Sequence, residues 1–173
     1  MPTPGTSALV VELPAAEGLL DAARAVNPAL VRPGLSPHVT ALYPFLPAAQ
    51  LTEAVDEAVT ALAREHRATD VPLTELVVTA GFVAAAAPAL QSLADAVCGQ
   101  WPDVPPYGGR FGPRPPVHLT IAMSGTEAET RKVATAAETL LPVTGRAEAL
   151  HLVVLTEQGW QLRLTAPLGT PAR

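Results

Sequence analysis

The chain reads as an α+β protein built from two similar lobes with antiparallel sheets, and three observations predict it. Strand-like and helix-like segments alternate along all 173 residues. Several strands arrive as adjacent pairs, which favours antiparallel pairing over parallel crossovers. Each half also repeats one local unit: a strand carrying a histidine, then an amphipathic helix, then a strand pair.

Taken in order, Ser7 to Leu13 is a strand and Glu17 to Asn27 a helix ended by the Asn27-Pro28 pair. Pro37 to Phe45, rich in Val, Thr, Tyr and Phe, is the second strand. Leu51, Ala54, Val55, Ala58, Val59 and Leu62 recur at three- and four-residue spacing, so Leu51 to His66 is an amphipathic helix. Thr52 is its N-cap or lies in its first turn. Leu73 to Thr79 and Phe82 to Ala86 are strands meeting at Gly81, and Ala89 to Gln100 is a helix striped by Leu90, Leu93, Ala94 and Val97. After a loop comes the strand Val117 to Met123, then the helix Glu127 to Leu141, stopped by Pro142. Two strands close the chain, Ala147 to Thr156 and Trp160 to Ala166, joined at Glu157-Gln158-Gly159.

Composition bounds the function. With 49% hydrophobic residues the chain has the means to bury a core, and disorder is excluded. Cys98 is the one cysteine, so neither a disulfide framework nor a Cys/His zinc cluster can form; a reducing compartment fits. Eleven Lys+Arg against sixteen Asp+Glu leave no basic face for extended duplex nucleic acid. Nearly all the positive charge is arginine, and a guanidinium matches phosphate oxygens bidentately. The apolar stretch Ala8 to Val11 ends at Glu12, too short for a signal-peptide core or a span of ~20 residues. The expectation is a cytoplasmic protein without membrane contact.

Four histidines are present. His66 sits at the charged end of a helix, and His151 in an apolar strand; structural roles are expected for both. His38 and His118 differ, because each opens the same triplet, His38-Val39-Thr40 and His118-Leu119-Thr120. Residues two apart on a strand share a face. His38 and Thr40 therefore point one way, with Val39, Ala41 and Tyr43 the other, so Tyr43 is expected in the core. Likewise His118, Thr120 and Ala122 oppose Leu119, Ile121 and Met123, which read as the buried side.

Two such strands would bring two imidazoles and two hydroxyls to one cleft. One neutral imidazole takes a proton from the attacking water or hydroxyl, and the second, protonated, gives one to the leaving oxygen. The threonine hydroxyls donate to nonbridging phosphate oxygens. That set suits cleavage of a phosphodiester or cyclic phosphate without a metal or other cofactor. Zinc ligation is the competing use of histidine, but no Asp, Glu or Cys lies at strand spacing from either one.

The segments Ser36 to Phe45 and Pro116 to Ala122, together with the closing Trp160 to Gly169, resemble the 2H phosphoesterase superfamily in its 2′–5′ RNA ligase-like and cyclic phosphodiesterase branch. The resemblance implies a single domain over 1–173, its two lobes related by a pseudo-twofold around a central cleft. It implies metal-independent hydrolysis, or reversible ligation, of a 2′,3′-cyclic phosphate or 2′–5′ linkage. His38 and His118 would be the acid and base, in either order, with Thr40 and Thr120 as substrate contacts. The expected partner is a small nucleotide or an RNA terminus bearing a cyclic phosphate, bound by a monomer. The loop Trp101 to Arg114 offers Tyr107 and Arg114 to substrate, while Trp101 and Phe111 either stack on a base or pack on the core. A nucleotide-binding module without turnover would use the same cleft, and a metal-dependent hydrolase would lose activity to a chelator.

Overall fold

The computed structural model describes residues 2–170. Met1 and residues 171–173, which the expected 1–173 domain includes, lie outside the described residues.

Nine strands and four helices follow in the order β1 (Ser7–Glu12), α1 (Glu17–Val26), β2 (His38–Leu42), α2 (Glu53–Arg64), β3 (Thr69–Leu73), β4 (Leu76–Thr79), β5 (Phe82–Ala86), α3 (Gln91–Gln100), β6 (His118–Met123), α4 (Glu127–Leu140), β7 (Val143–Ala147), β8 (Ala149–Thr156) and β9 (Gly159–Pro167). Short 3₁₀ turns join several of them. Thr52 is the N-cap of α2, its hydroxyl accepting from the Val55 amide. The α+β class and the antiparallel pairing are as expected. Seven strands form one sheet in the order β4-β5-β6-β2-β1-β8-β9, and β3 pairs with β7 in a second.

That order displays the internal symmetry. An axis between β6 and β2 exchanges β2 with β6, β1 with β5 and β4 with β8, while β3 pairs with its own counterpart β7. The repeat is therefore β-α-β-α-β-β, beginning one strand and one helix earlier than the unit visible in the sequence. The two halves share the main sheet, joined where β2 and β6 pair antiparallel at Val39 and Leu119.

Two expected strands change at the same place in each repeat. Leu73 to Thr79 divides, with Leu73 ending β3 and Leu76 opening β4; β7 precedes β8 and was hidden in Pro142 to Ala147. One cause serves both. The chain forms a strand of the small sheet, then turns at Thr74-Glu75 or Glu148 into the main sheet. Nothing local marks Val143-Thr144-Gly145-Arg146-Ala147 as a strand; its partner lies about seventy residues away, Asp70 opposite Arg146, with an ion pair of 3.0 Å.

The helices cover one face of the main sheet: α1 packs on β6 and α4, α3 on β2, α2 on β8 and β9, and α4 on β4 and β5. Between them and the sheet lies the core, including Leu9, Val11, Val39, Leu119, Ile121, Leu150 and Leu152. Alternation along β2 and β6 then sends His38, Thr40, His118 and Thr120 to the opposite, uncovered face. Leu119 is fully buried at the joint of the two halves. Leu119→Ala should cost about 2–5 kcal/mol through lost burial and a cavity, read as a lowered denaturant midpoint with unchanged slope.

Candidate active site

The register around Val39 and Leu119 sets the site. Continued one residue either way, antiparallel pairing lays His38 beside Thr120 and Thr40 beside His118. The four side chains form two rows on one face, each row holding one imidazole and one hydroxyl. All four are half-buried.

Both imidazoles are held the same way. His38 Nδ1 lies 2.8 Å from the Ser36 carbonyl, and His118 Nδ1 lies 3.2 Å from the Pro116 carbonyl. A carbonyl only accepts, so each Nδ1 carries the proton and donates. That fixes the tautomer and leaves Nε2 as the nitrogen able to take or give a proton. The prolines near each triplet place these carbonyls: Pro37 precedes His38, and Pro116 itself supplies the acceptor for His118.

The surroundings differ. His38 is directly opposite Glu12 of β1, on the same face. Burial pushes the His38 imidazole below the ordinary histidine range, while its bond to Ser36 and the Glu12 carboxylate pull it up. Burial also lowers His118, against its bond to Pro116; the Phe82 ring stands nearly perpendicular to this one, with centroids 5.4 Å apart.

Tyr107 lies beside Thr40. Its amide donates to the Tyr43 carbonyl at 2.6 Å, and it adopts the left-handed backbone region, φ 52°, between Pro106 and Gly108. Such a conformation is uncommon outside glycine and is held here by the surrounding contacts. Burial raises its phenol pKa, with the Thr40 hydroxyl beside it pulling down. Arg114 is exposed, and its described neighbour is Cys98 on α3, where burial raises the thiol pKa and this guanidinium works against it.

Tyr43 corrects the expectation of core packing. Leu9 pairs with Leu42 but Val10 with Thr40, so Ala41 is an extra residue. Ala41 and Leu42 both face the core and parity is reversed by Tyr43, just as the slip at Ile121 of β6 buries Ala122 against its expected face. Tyr43 joins Leu35 and Trp160 over Ala8, Val10 and Val153 on the site's face. From there an aromatic chain runs outward: Trp160 to Tyr43 at 6.5 Å, Tyr43 to Tyr107 at 6.1 Å and Tyr107 to Phe111 at 5.5 Å between centroids. Phe111 is 57% exposed at its end, under the Arg110 guanidinium. Trp101 instead packs edge-on against buried Phe45. His66 donates to the Leu62 carbonyl at the end of α2, the structural role expected of it.

Among the described residues no group of three His, Cys, Asp or Glu side chains is gathered for a metal. No helix there is long and apolar enough to cross a membrane.

A family model described as the 2′-5′ RNA ligase superfamily matches residues 11–159, spanning both His-x-Thr triplets. The chain belongs to that superfamily. The solved structures agree in fold. E. coli LigT complexed with 3′-AMP superposes with a TM-score of 0.63 at 18% identity, covering 96% of this chain and 99% of LigT. LigT in apo form gives 0.61 at 17% identity, over 98% and 100%. A structure described as a phosphoesterase gives 0.55 at 16%, over 97% and 100%. No curated protein matches the chain by sequence. Members of this 2H phosphoesterase superfamily are in general enzymes, phosphoesterases or ligases.

If burial governs the histidines, NMR titration of the free protein should place His38 and His118 below about 6.5. Glu12→Gln should lower His38 and His151 further and leave His118 in place, because that carboxylate raises only the first two. The unfolded chain then binds protons the folded one refuses, so stability should decline as pH falls from about 6.5 through the folded values.

Proposed function

We propose that this superfamily member is a metal-independent phosphoesterase that opens 2′,3′-cyclic phosphates, or cleaves 2′–5′ linkages, of small nucleotides or RNA ends. The observation that carries this is the meeting of two His-x-Thr triplets across the β2–β6 register, each imidazole held through Nδ1 by a carbonyl.

The steps follow from those atoms. A substrate phosphate lies between the two imidazoles, its nonbridging oxygens accepting from Thr40 and Thr120. One neutral Nε2 takes a proton from water as the water oxygen bonds to phosphorus. The P–O bond to the 2′ or 3′ oxygen breaks, and the second imidazole, protonated, gives that oxygen its proton. Water is thus added across one P–O bond and the product is a phosphomonoester. With a hydroxyl of a second end in place of water, the same forward step bonds that oxygen to phosphorus, opens the cyclic phosphate and joins two ends.

Specific side chains support a nucleotide as substrate. Tyr107 beside Thr40, with exposed Phe111 behind it, offers an aromatic edge for a base next to the reacting phosphate. Arg114 is assigned to the next phosphate of a longer RNA end. The LigT structure bound to 3′-AMP supports the same class of ligand, a small nucleotide.

His38→Ala and His118→Ala should each reduce turnover of a nucleoside 2′,3′-cyclic phosphate by ~10²–10⁴ with an unchanged thermal melt, and chelator should leave wild-type turnover intact. Wild-type rates in either variant would remove the two-histidine mechanism, and tight binding without product would leave a binding module. The pH profile supplies a second check. One histidine must be neutral and the other charged, and both are pulled below the ordinary range, so kcat/KM should peak on the acid side of about 6.5.

A further inference from the structure

His151 is not an isolated strand histidine. Its Cα partner on one side is Val10 of β1, and Val10 is in turn the partner of Thr40; on the other side its partner is Thr165 of β9. Cross-strand partners share a face, so one row runs Thr165, His151, Val10, Thr40 across the sheet. His151 therefore faces the same way as the four site residues. Two strands at about 4.8 Å each put it about 10 Å from Thr40. A group held there belongs to another part of the substrate than the reacting phosphate.

Its neighbours indicate what it holds. His151 Nδ1 and the Thr165 hydroxyl are 3.3 Å apart. Glu12 lies two residues beyond Val10 on the same face, diagonal to His151 and directly opposite His38, with its carboxylate close enough to act on both rings. The one arginine of β1, β8 and β9 is Arg163. It turns to α2 instead, where Asp56 holds it at 3.1 and 2.9 Å and it donates to the Leu51 carbonyl at 2.9 Å. A second phosphate at His151 would thus face a carboxylate and no guanidinium from these strands. An imidazole, a carboxylate and a hydroxyl together both accept and donate hydrogen bonds, the combination that uncharged hydroxyl and amino groups need.

We propose that His151, with Glu12 and Thr165, forms a subsite for the uncharged polar groups of the nucleoside attached to the reacting phosphate, and so selects nucleosides over smaller cyclic phosphates. The subsite deepens the activity proposed above and presupposes it. Glu12 serves both halves of the face: it lies against His38 in the site and supplies an acceptor in the subsite. His151 and Thr165 act on the nucleoside alone.

The test compares three substrates: a nucleoside 2′,3′-cyclic phosphate, ribose 2′,3′-cyclic phosphate without a base, and glycerol 1,2-cyclic phosphate with neither. His151→Ala should lower kcat/KM for the nucleoside substrate about tenfold more than for glycerol cyclic phosphate, as expected for one lost hydrogen bond. Thr165→Val, at an exposed position, should act in the same direction and guards against misfolding of the first variant. Loss confined to the nucleoside substrate marks a base contact, and loss shared with ribose cyclic phosphate marks a ribose contact; either supports the subsite. Equal loss on all three substrates, or no loss on any, overturns it. If the wild-type protein turns over none of them, the activity reading fails by itself. Calorimetry with a nucleoside 3′-monophosphate and with inorganic phosphate then decides the subsite: His151→Ala must weaken the nucleotide and not the phosphate, and any other result removes it.

Discussion

The site depends on one antiparallel contact, Val39 against Leu119, where the two halves of the chain meet in the middle of the main sheet. Both side chains are buried on the helix-covered face. Because strand residues alternate, burying these two forces the flanking His and Thr of each triplet to the other face. Because the strands are antiparallel, the histidine of each comes beside the threonine of the other. A slip of one residue would turn all four side chains into the core and the apolar ones out, so the core's demand for Val39 and Leu119 is also what assembles the cleft.

The pseudo-twofold explains why the two histidines have matching support, and its breaking explains why they are not equivalent. Each Nδ1 is held by the carbonyl two residues earlier, a local feature each half supplies for itself. Past that, the environments part. Glu12 faces His38 from β1, whereas the Phe82 ring of β5 stands nearly perpendicular to His118. An acid–base pair needs such a difference, since one ring has to be charged while the other is neutral. β9 has no counterpart in the first half, and it adds Thr165 and Trp160 to one end of the face. The asymmetry of the cleft is in large part the contribution of that extra strand.

Local chemistry was readable where it is written in neighbouring residues. The helix stripes, the two His-x-Thr triplets and the strand alternation through them each occupy a few consecutive positions, and the structure shows these elements with ends moved by up to three residues. Tyr43 shows where such reasoning stops: the register slips inside β2 at Ala41, and one extra residue exchanges the two faces for everything after it. The loop before β6 shows a second limit, since its prolines and glycines tell that it is stiff but not that Trp101 packs on Phe45 while Phe111 ends the aromatic chain.

By itself the sequence determined the α+β class, the repeated unit, the family resemblance and the identity of the paired motifs, because these are set by spacing along the chain. Tertiary structure decided what depends on register between distant strands. The pairing of β3 with β7, the place of Glu12 opposite His38, and the row that carries His151 and Thr165 onto the site's face are all of this kind. Register is fixed by the fit of a whole core, in which one residue of slip exchanges the buried and exposed sets. No short segment contains that information, so a third histidine on the cleft face looks from the sequence like any other residue of an apolar strand.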